Sequence, residues 1–159
     1  MPFTRVDHVG FTVSDMDRSC EFYTYLLETE PALRLSWDDV DYVSRNVGYE
    51  NTAIDGAFFP LPGGTMLELL QYRNPPAGHV DMGTYNVGNS HLCLATDDIA
   101  AELDRLRGHA TIRSEPIHVT GGPYVGGYLC YIRDPDDISI ELVQYAPGFV
   151  PGSVQAATA

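Results

Sequence analysis

The sequence predicts an α+β fold made of two copies of one unit, each a strand, a helix and about three further strands. Three observations carry that reading. A strand-like run with a histidine near its start occurs twice, a cappable helix pattern follows it both times, and a Leu/Ile-Glu-Leu-x-Gln-Tyr strand closes each half.

The opening run is Asp7-His8-Val9-Gly10-Phe11-Thr12-Val13-Ser14-Asp15, and its echo is Ser90-His91-Leu92-Cys93-Leu94-Ala95-Thr96-Asp97-Asp98. In the first copy Asp15 or Asp17 can cap a helix running to about Leu27, with Phe22, Leu26 and Leu27 as its apolar stripe. In the second, Asp97 or Asp98 can cap a helix to about Arg107 bearing Ile99, Leu103 and Leu106, which Gly108 then stops. Further strands are expected over roughly 53–61 and 124–133. The turns Pro62-Gly63-Gly64 and Asp134-Pro135-Asp136-Asp137 lead from them into the closing strands at 66–72 and 139–145. The first βαβββ module thus covers 1–72 and the second 90–146, joined by a connector at 73–89 rich in Pro, Gly and Asn. A tail at 147–159 has little periodicity and is expected to fray, and the whole is expected to form one compact domain.

Composition narrows the function. A chain of 159 residues with 44% apolar content can bury a core. A formal charge of −13, from 22 acidic against 9 basic residues, would repel nucleic acid and anionic lipid. The start lacks the long apolar stretch of a signal peptide and no later segment suits a membrane span, so a soluble cytoplasmic protein is expected. Cys20, Cys93 and Cys130 form no C-x-x-C pair and suit a reduced compartment, and Cys93 and Cys130, in strand-like runs, read as small hydrophobes. Tyr42, Tyr49, Phe59, Tyr72, Tyr124 and Tyr128 read as core in preference to pocket lining. His79, His109 and His118 have no partner in the repeat and receive no role.

Four residues do have matched partners. Side chains alternate along a strand, so His8 shares a face with Gly10 and Thr12, and His91 shares one with Cys93 and Ala95. Glu68 and Glu141 each project from a strand that flanking Leu and Ile anchor from the other side. A lone strand histidine is usually a hydrogen-bonded core residue, and a lone Glu in an apolar run is usually solvated. Both types recurring at matched points is what favours a metal site of His8, Glu68, His91 and Glu141. Two imidazoles and two carboxylates suit one Zn, Ni, Co, Mn or Fe ion rather than calcium. On an octahedral ion they leave two positions for adjacent substrate oxygens, where the metal would stabilise an enolate or enediolate.

These motifs, with Glu21-Phe22-Tyr23 in the first helix, resemble the vicinal oxygen chelate superfamily over roughly residues 5 to 145. That group includes glyoxalases, methylmalonyl-CoA epimerase, extradiol dioxygenases and bleomycin-resistance proteins. The resemblance is nearest to glyoxalase I-like and methylmalonyl-CoA epimerase-like members. It implies a curved, eight-stranded cup of paired modules, usually dimeric, with the four named residues on the ligand strands. It also implies a small-molecule substrate and proton transfer next to a carbonyl, by a lyase, isomerase or epimerase. Glu141 is the expected base, with Glu68 second. Glu68 tilts toward the lyase, whereas Thr12 stands where a glutathione-handling enzyme often has arginine. A ring-cleaving dioxygenase and a drug-binding resistance protein are the alternatives. A second carboxylate ligand disfavours the former, and the retained ligand set disfavours the latter.

Overall fold

The computed structural model describes residues 2–150, and the chain divides between Val80 and Asp81 into two units. The first unit runs β1 (His8–Thr12), α1 (Met16–Leu27), β2 (Leu33–Asp38), α2 (Asp41–Val47), β3 (Ala53–Pro60) and β4 (Met66–Asn74). Its sheet has the order β1-β4-β3-β2, with β1 parallel to β4 and the other pairs antiparallel. The second unit runs β5 (His91–Ala95), α3 (Ile99–Leu106), β6 (Thr111–Ile112), β7 (Ile117–His118), β8 (Tyr128–Arg133) and β9 (Ser139–Gln144). Its order is β5-β9-β8-β6, with β7 also on β8 and β5 parallel to β9.

The expected α+β repeat is therefore present, with two additions. Helix α2 lies between β2 and β3 where only strands were expected. It has seven residues, no side-chain cap at Val40 and one buried side chain, Val43, so it leaves almost no apolar periodicity to read. The second addition raises the expected eight strands to nine among the described residues. The strand equivalent to β2 is split into β6 and β7, because Arg113 and Ser114 both donate their backbone N–H to the Tyr131 carbonyl, at 2.9 and 3.2 Å, and Pro116 has no N–H to give.

Helices α1 and α3 start as the acidic caps predict, at Asp15 and Asp98. Asp15 accepts from the Arg18 amide at 2.9 Å and Asp98 from the Ala101 amide at 3.0 Å. A second device ties each helix to its sheet. Gln71 Oε1 accepts from the Met16 amide at 2.7 Å, and Gln144 Oε1 accepts from the Ile99 amide at 3.0 Å. The repeated glutamine is thus explained by the orphan amides of a helix start. The turn before β9 is built on buried Asp134, whose Oδ1 accepts from the amides of Asp136 and Ile138, both at 2.8 Å.

Alternation then decides the two faces of each sheet. In the first unit Leu67 and Leu69 are fully buried with Phe11, Val13 and Phe59, and Tyr23 of α1 packs its ring 6.2 Å from that of Phe59. Tyr23 replaces the expected Leu27 in the buried stripe of α1. In the second unit Ile99, Leu103 and Leu106 are buried as expected, together with Cys130, Ile132, Ile140 and Leu142. Each such side chain contributes about 1.5–3 kcal/mol on burial. Of the six aromatics read as core, Phe59 is buried, Tyr72 half-buried, and Tyr42, Tyr49, Tyr124 and Tyr128 exposed. Among the described residues no helix is long and apolar enough to cross a membrane. Of the expected fraying tail, 147–150 turns back so that Phe149 stacks on Tyr145 at 4.5 Å, and 151–159 lies outside the described residues.

Candidate functional site

With Leu67 and Leu69 committed to the core, Glu68 between them must leave by the opposite face of β4, and the same alternation places Glu141 between Ile140 and Leu142 on β9. Parallel pairing puts Gly10 beside Glu68 and Cys93 beside Glu141, which brings the histidine two residues earlier into reach. His8 Nε2 stands 3.4 Å from Glu68 Oε2, and His91 Nε2 stands 3.0 Å from Glu141 Oε2. Both carboxylates are mostly covered, at 17% and 15% side-chain exposure, while both imidazoles are open, at 45% and 42%. The four predicted residues thus meet two by two, one pair in each unit. Among the described residues no group of three or more His, Cys, Asp and Glu side chains stands ready around one point.

The donor chemistry of each pair fits a divalent transition metal. Two ligands about 2.1 Å from one ion and at right angles stand about 3 Å apart, close to both observed separations. A plain imidazole–carboxylate hydrogen bond has a similar length. In the first pair, His8 Nδ1 lies 3.2 Å from Asp7 Oδ2, so the ring has a carboxylate behind it and turns Nε2 toward Glu68. That contact and the Arg5 guanidinium hold the Asp7 carboxyl below the usual carboxylate range.

Sequence reasoning missed Tyr131. Its hydroxyl donates to Glu141 Oε2 at 2.9 Å, and its ring packs edge-on against His91 at 5.5 Å. Burial, and then the hydrogen bond to Glu141, push its phenol up to about 12, so it stays a donor at neutral pH. The equivalent residue in the first unit is Phe58, opposite Glu68 in register and edge-on to His8 at 6.5 Å. An aromatic residue ten positions before the glutamate in each half was the available signal. Cys93, next to Glu141, keeps an exposed surface, yet burial of its sulfur and the Glu141 charge push the thiol up to about 11, which suits an inert neutral group.

Comparison with known proteins agrees with this architecture. The family model described as Glyoxalase/Bleomycin resistance protein/Dioxygenase superfamily matches residues 5–142. A 2-epi-5-epi-valiolone epimerase from an Actinomyces species is 30% identical over 147 residues, covering 90% of this chain and 80% of that protein. A lactoylglutathione lyase from Arabidopsis thaliana is 27% identical over 141 residues; the match covers 88% of this chain but only 44% of the plant protein. A glyoxalase family protein from Bacillus cereus superposes with a TM-score of 0.78 at 22% identity, covering 92% of this chain and 97% of that one. The repeat, the two sheets and the family match lead to one conclusion: this chain belongs to the glyoxalase, bleomycin-resistance protein and dioxygenase superfamily.

Proposed function

We propose that this protein is a divalent-metal-dependent enzyme that moves a proton on the carbon next to a carbonyl, as an epimerase or as a glyoxalase-type lyase or isomerase. The observation that carries the reading is the recurrence of one His–Glu pair, His8 with Glu68 and His91 with Glu141, at equivalent register positions of two sheets.

In this reading His8, Glu68, His91 and Glu141 together hold one Zn, Ni, Co, Mn or Fe ion, within one chain or across a homodimer. When bound, the ion supplies Lewis acidity that eases loss of the proton next to a chelated carbonyl. Glu141 takes that proton and Glu68 is the second carrier. A carboxylate is a weak base, but a substrate acidified in this way requires no stronger one. Tyr131 aims Glu141 from behind, and Asp7 orients the His8 ring. The protein is taken to be cytoplasmic and to act on a small molecule.

One observation favours epimerisation over glutathione-linked chemistry. Thr12 occupies the position where the lyase resemblance expects arginine. The test is incubation of metal-loaded protein in deuterated water with panels of 2-oxo thiohemiacetals, 2-substituted acyl-CoA esters, 2-epi-5-epi-valiolone and catechols. Deuterium entering a recovered substrate or product, dependent on metal and on Glu141, is expected. Oxygen uptake with ring cleavage and no exchange would overturn the proposal.

A further inference from the structure

All nine basic residues of the chain are arginines, set against 22 carboxylates, so an arginine without a partner is unexpected. Arg5, Arg34, Arg45, Arg73, Arg105 and Arg107 pair with carboxylates. Arg18 donates to Ser14 Oγ at 2.8 Å, and buried Arg133 donates to the carbonyls of Met82 and Asp137. Arg113 is exposed, and among the described residues its guanidinium has no hydrogen-bond or ion-pair partner.

Its place in the sheet is specific. Thr111 opposes Arg133 and Ile112 opposes Ile132, so the next residue, Arg113, falls opposite Tyr131, to whose carbonyl its amide donates. Tyr131 opposes Glu141, and Glu141 lies beside Cys93. Directly opposed residues emerge on the same face, so Arg113 stands in the row of Tyr131 and Glu141, on the face away from buried Ile132 and Ile140. Two strand spacings, about 10 Å, separate its backbone from that of Glu141. The bulge at Arg113 and Ser114 is fixed by Ser114 Oγ, which accepts from the Tyr131 amide at 3.0 Å. Bulges commonly re-aim a side chain beside a site.

We infer that Arg113 is a substrate-docking residue that receives an anionic oxygen group, carboxylate or phosphate, on the far end of the carbonyl compound turned over beside Glu141. The inference rests on the metal-dependent reading above and narrows it to anionic substrates. The planar guanidinium fork matches two oxygens at once, which an ammonium group does not.

Calorimetry on the metal-loaded full-length protein tests it, with benzohydroxamate and 4-carboxybenzohydroxamate as probes. Both present the same pair of adjacent oxygens, and one adds a carboxylate across a rigid ring. Native protein is expected to bind the carboxylated probe about tenfold tighter or better. Arg113→Met should abolish that preference while leaving benzohydroxamate affinity unchanged, and Arg113→Lys should restore only part of it. Equal binding of both probes by native protein, or a preference surviving Arg113→Met, defeats the docking role and leaves the metal reading standing. Failure of both probes to bind defeats the metal reading and the docking role with it.

Discussion

The two units carry the same His–Glu pair but support it differently. Around Glu141, Tyr131 donates from one side and His91 lies 3.0 Å away, both at Oε2, so the carboxylate is held by two partners. Around Glu68 the matching aromatic is Phe58, which has no hydroxyl, and His8 is farther, at 3.4 Å. The neighbouring strand also differs, with Gly10 where the second unit has Cys93. A Cβ at Gly10 would come within 3.3 Å of Glu68 Oε2, a contact that a shift of a few tenths of an ångström in that flexible side chain would relieve. The candidate ligands match between the units, and the residues behind them do not. On that view the firmly aimed carboxylate is the one that handles the proton, and the freer one serves chiefly as ligand.

The largest expected effect separates the two carboxylates directly. Glu141→Gln should keep the fold and cut turnover by about a hundredfold or more, with Glu68→Gln costing distinctly less. Steady-state rates and isotope exchange measure both, and a reversed order would move the base to the first unit. Exchanging the support comes next. Tyr131→Phe should cost about tenfold in metal affinity or turnover, as expected for a residue behind a ligand. Phe58→Tyr should make the halves alike by giving Glu68 a donor, and metal titration of the pair of variants shows whether the hydroxyl matters. If Tyr131→Phe changes neither quantity, the asymmetry has no functional weight.

Where the halves agree, mutation should treat them alike. Gln71→Ala and Gln144→Ala each remove one bond to a helix-start amide and should each cost about 1 kcal/mol in chemical denaturation. A clear inequality would show that the shared motif supports the two helices to different degrees. The smallest effect is one of pH. Burial, helped by the Glu115 and Glu141 charges, pushes the Cys130 thiol up to about 11. Between the ordinary thiol value and about 11 the unfolded chain therefore sheds a proton that the folded chain keeps, and stability falls as pH rises through that window. Cys130→Ala should reduce this alkaline loss, with the raised Cys93 thiol still contributing to it, whereas the equivalent position in the first unit, Ala57, has nothing to titrate. A native thiol at Cys130 that reacts readily at pH 8 would contradict the shift.

Much of this comparison was legible in the sequence, and the rest was hidden for physical reasons. The repeat, the capping aspartates and the faces of β4 and β9 follow from periodicity, which is local. Helix α2 escaped, and strand β2 was expected in number but not in range, because both are thinly buried, the one with a single core residue and the other with none below the half-buried class. The contacts of Tyr131 with Glu141 and of Arg113 with the Tyr131 carbonyl depend on register between strands, which residue order along one strand does not encode. The meaning of Gln71 and Gln144 had to wait for the helix amides they reach.

Metal stoichiometry decides whether the two matched half-sites serve one ion. Elemental analysis of purified native protein, His8→Ala and His91→Ala is the measurement. One ion per chain is expected in the native protein, lost in either variant, if each unit supplies half of the ligands. Two ions per chain with each variant losing one, or full occupancy surviving either substitution, would contradict it.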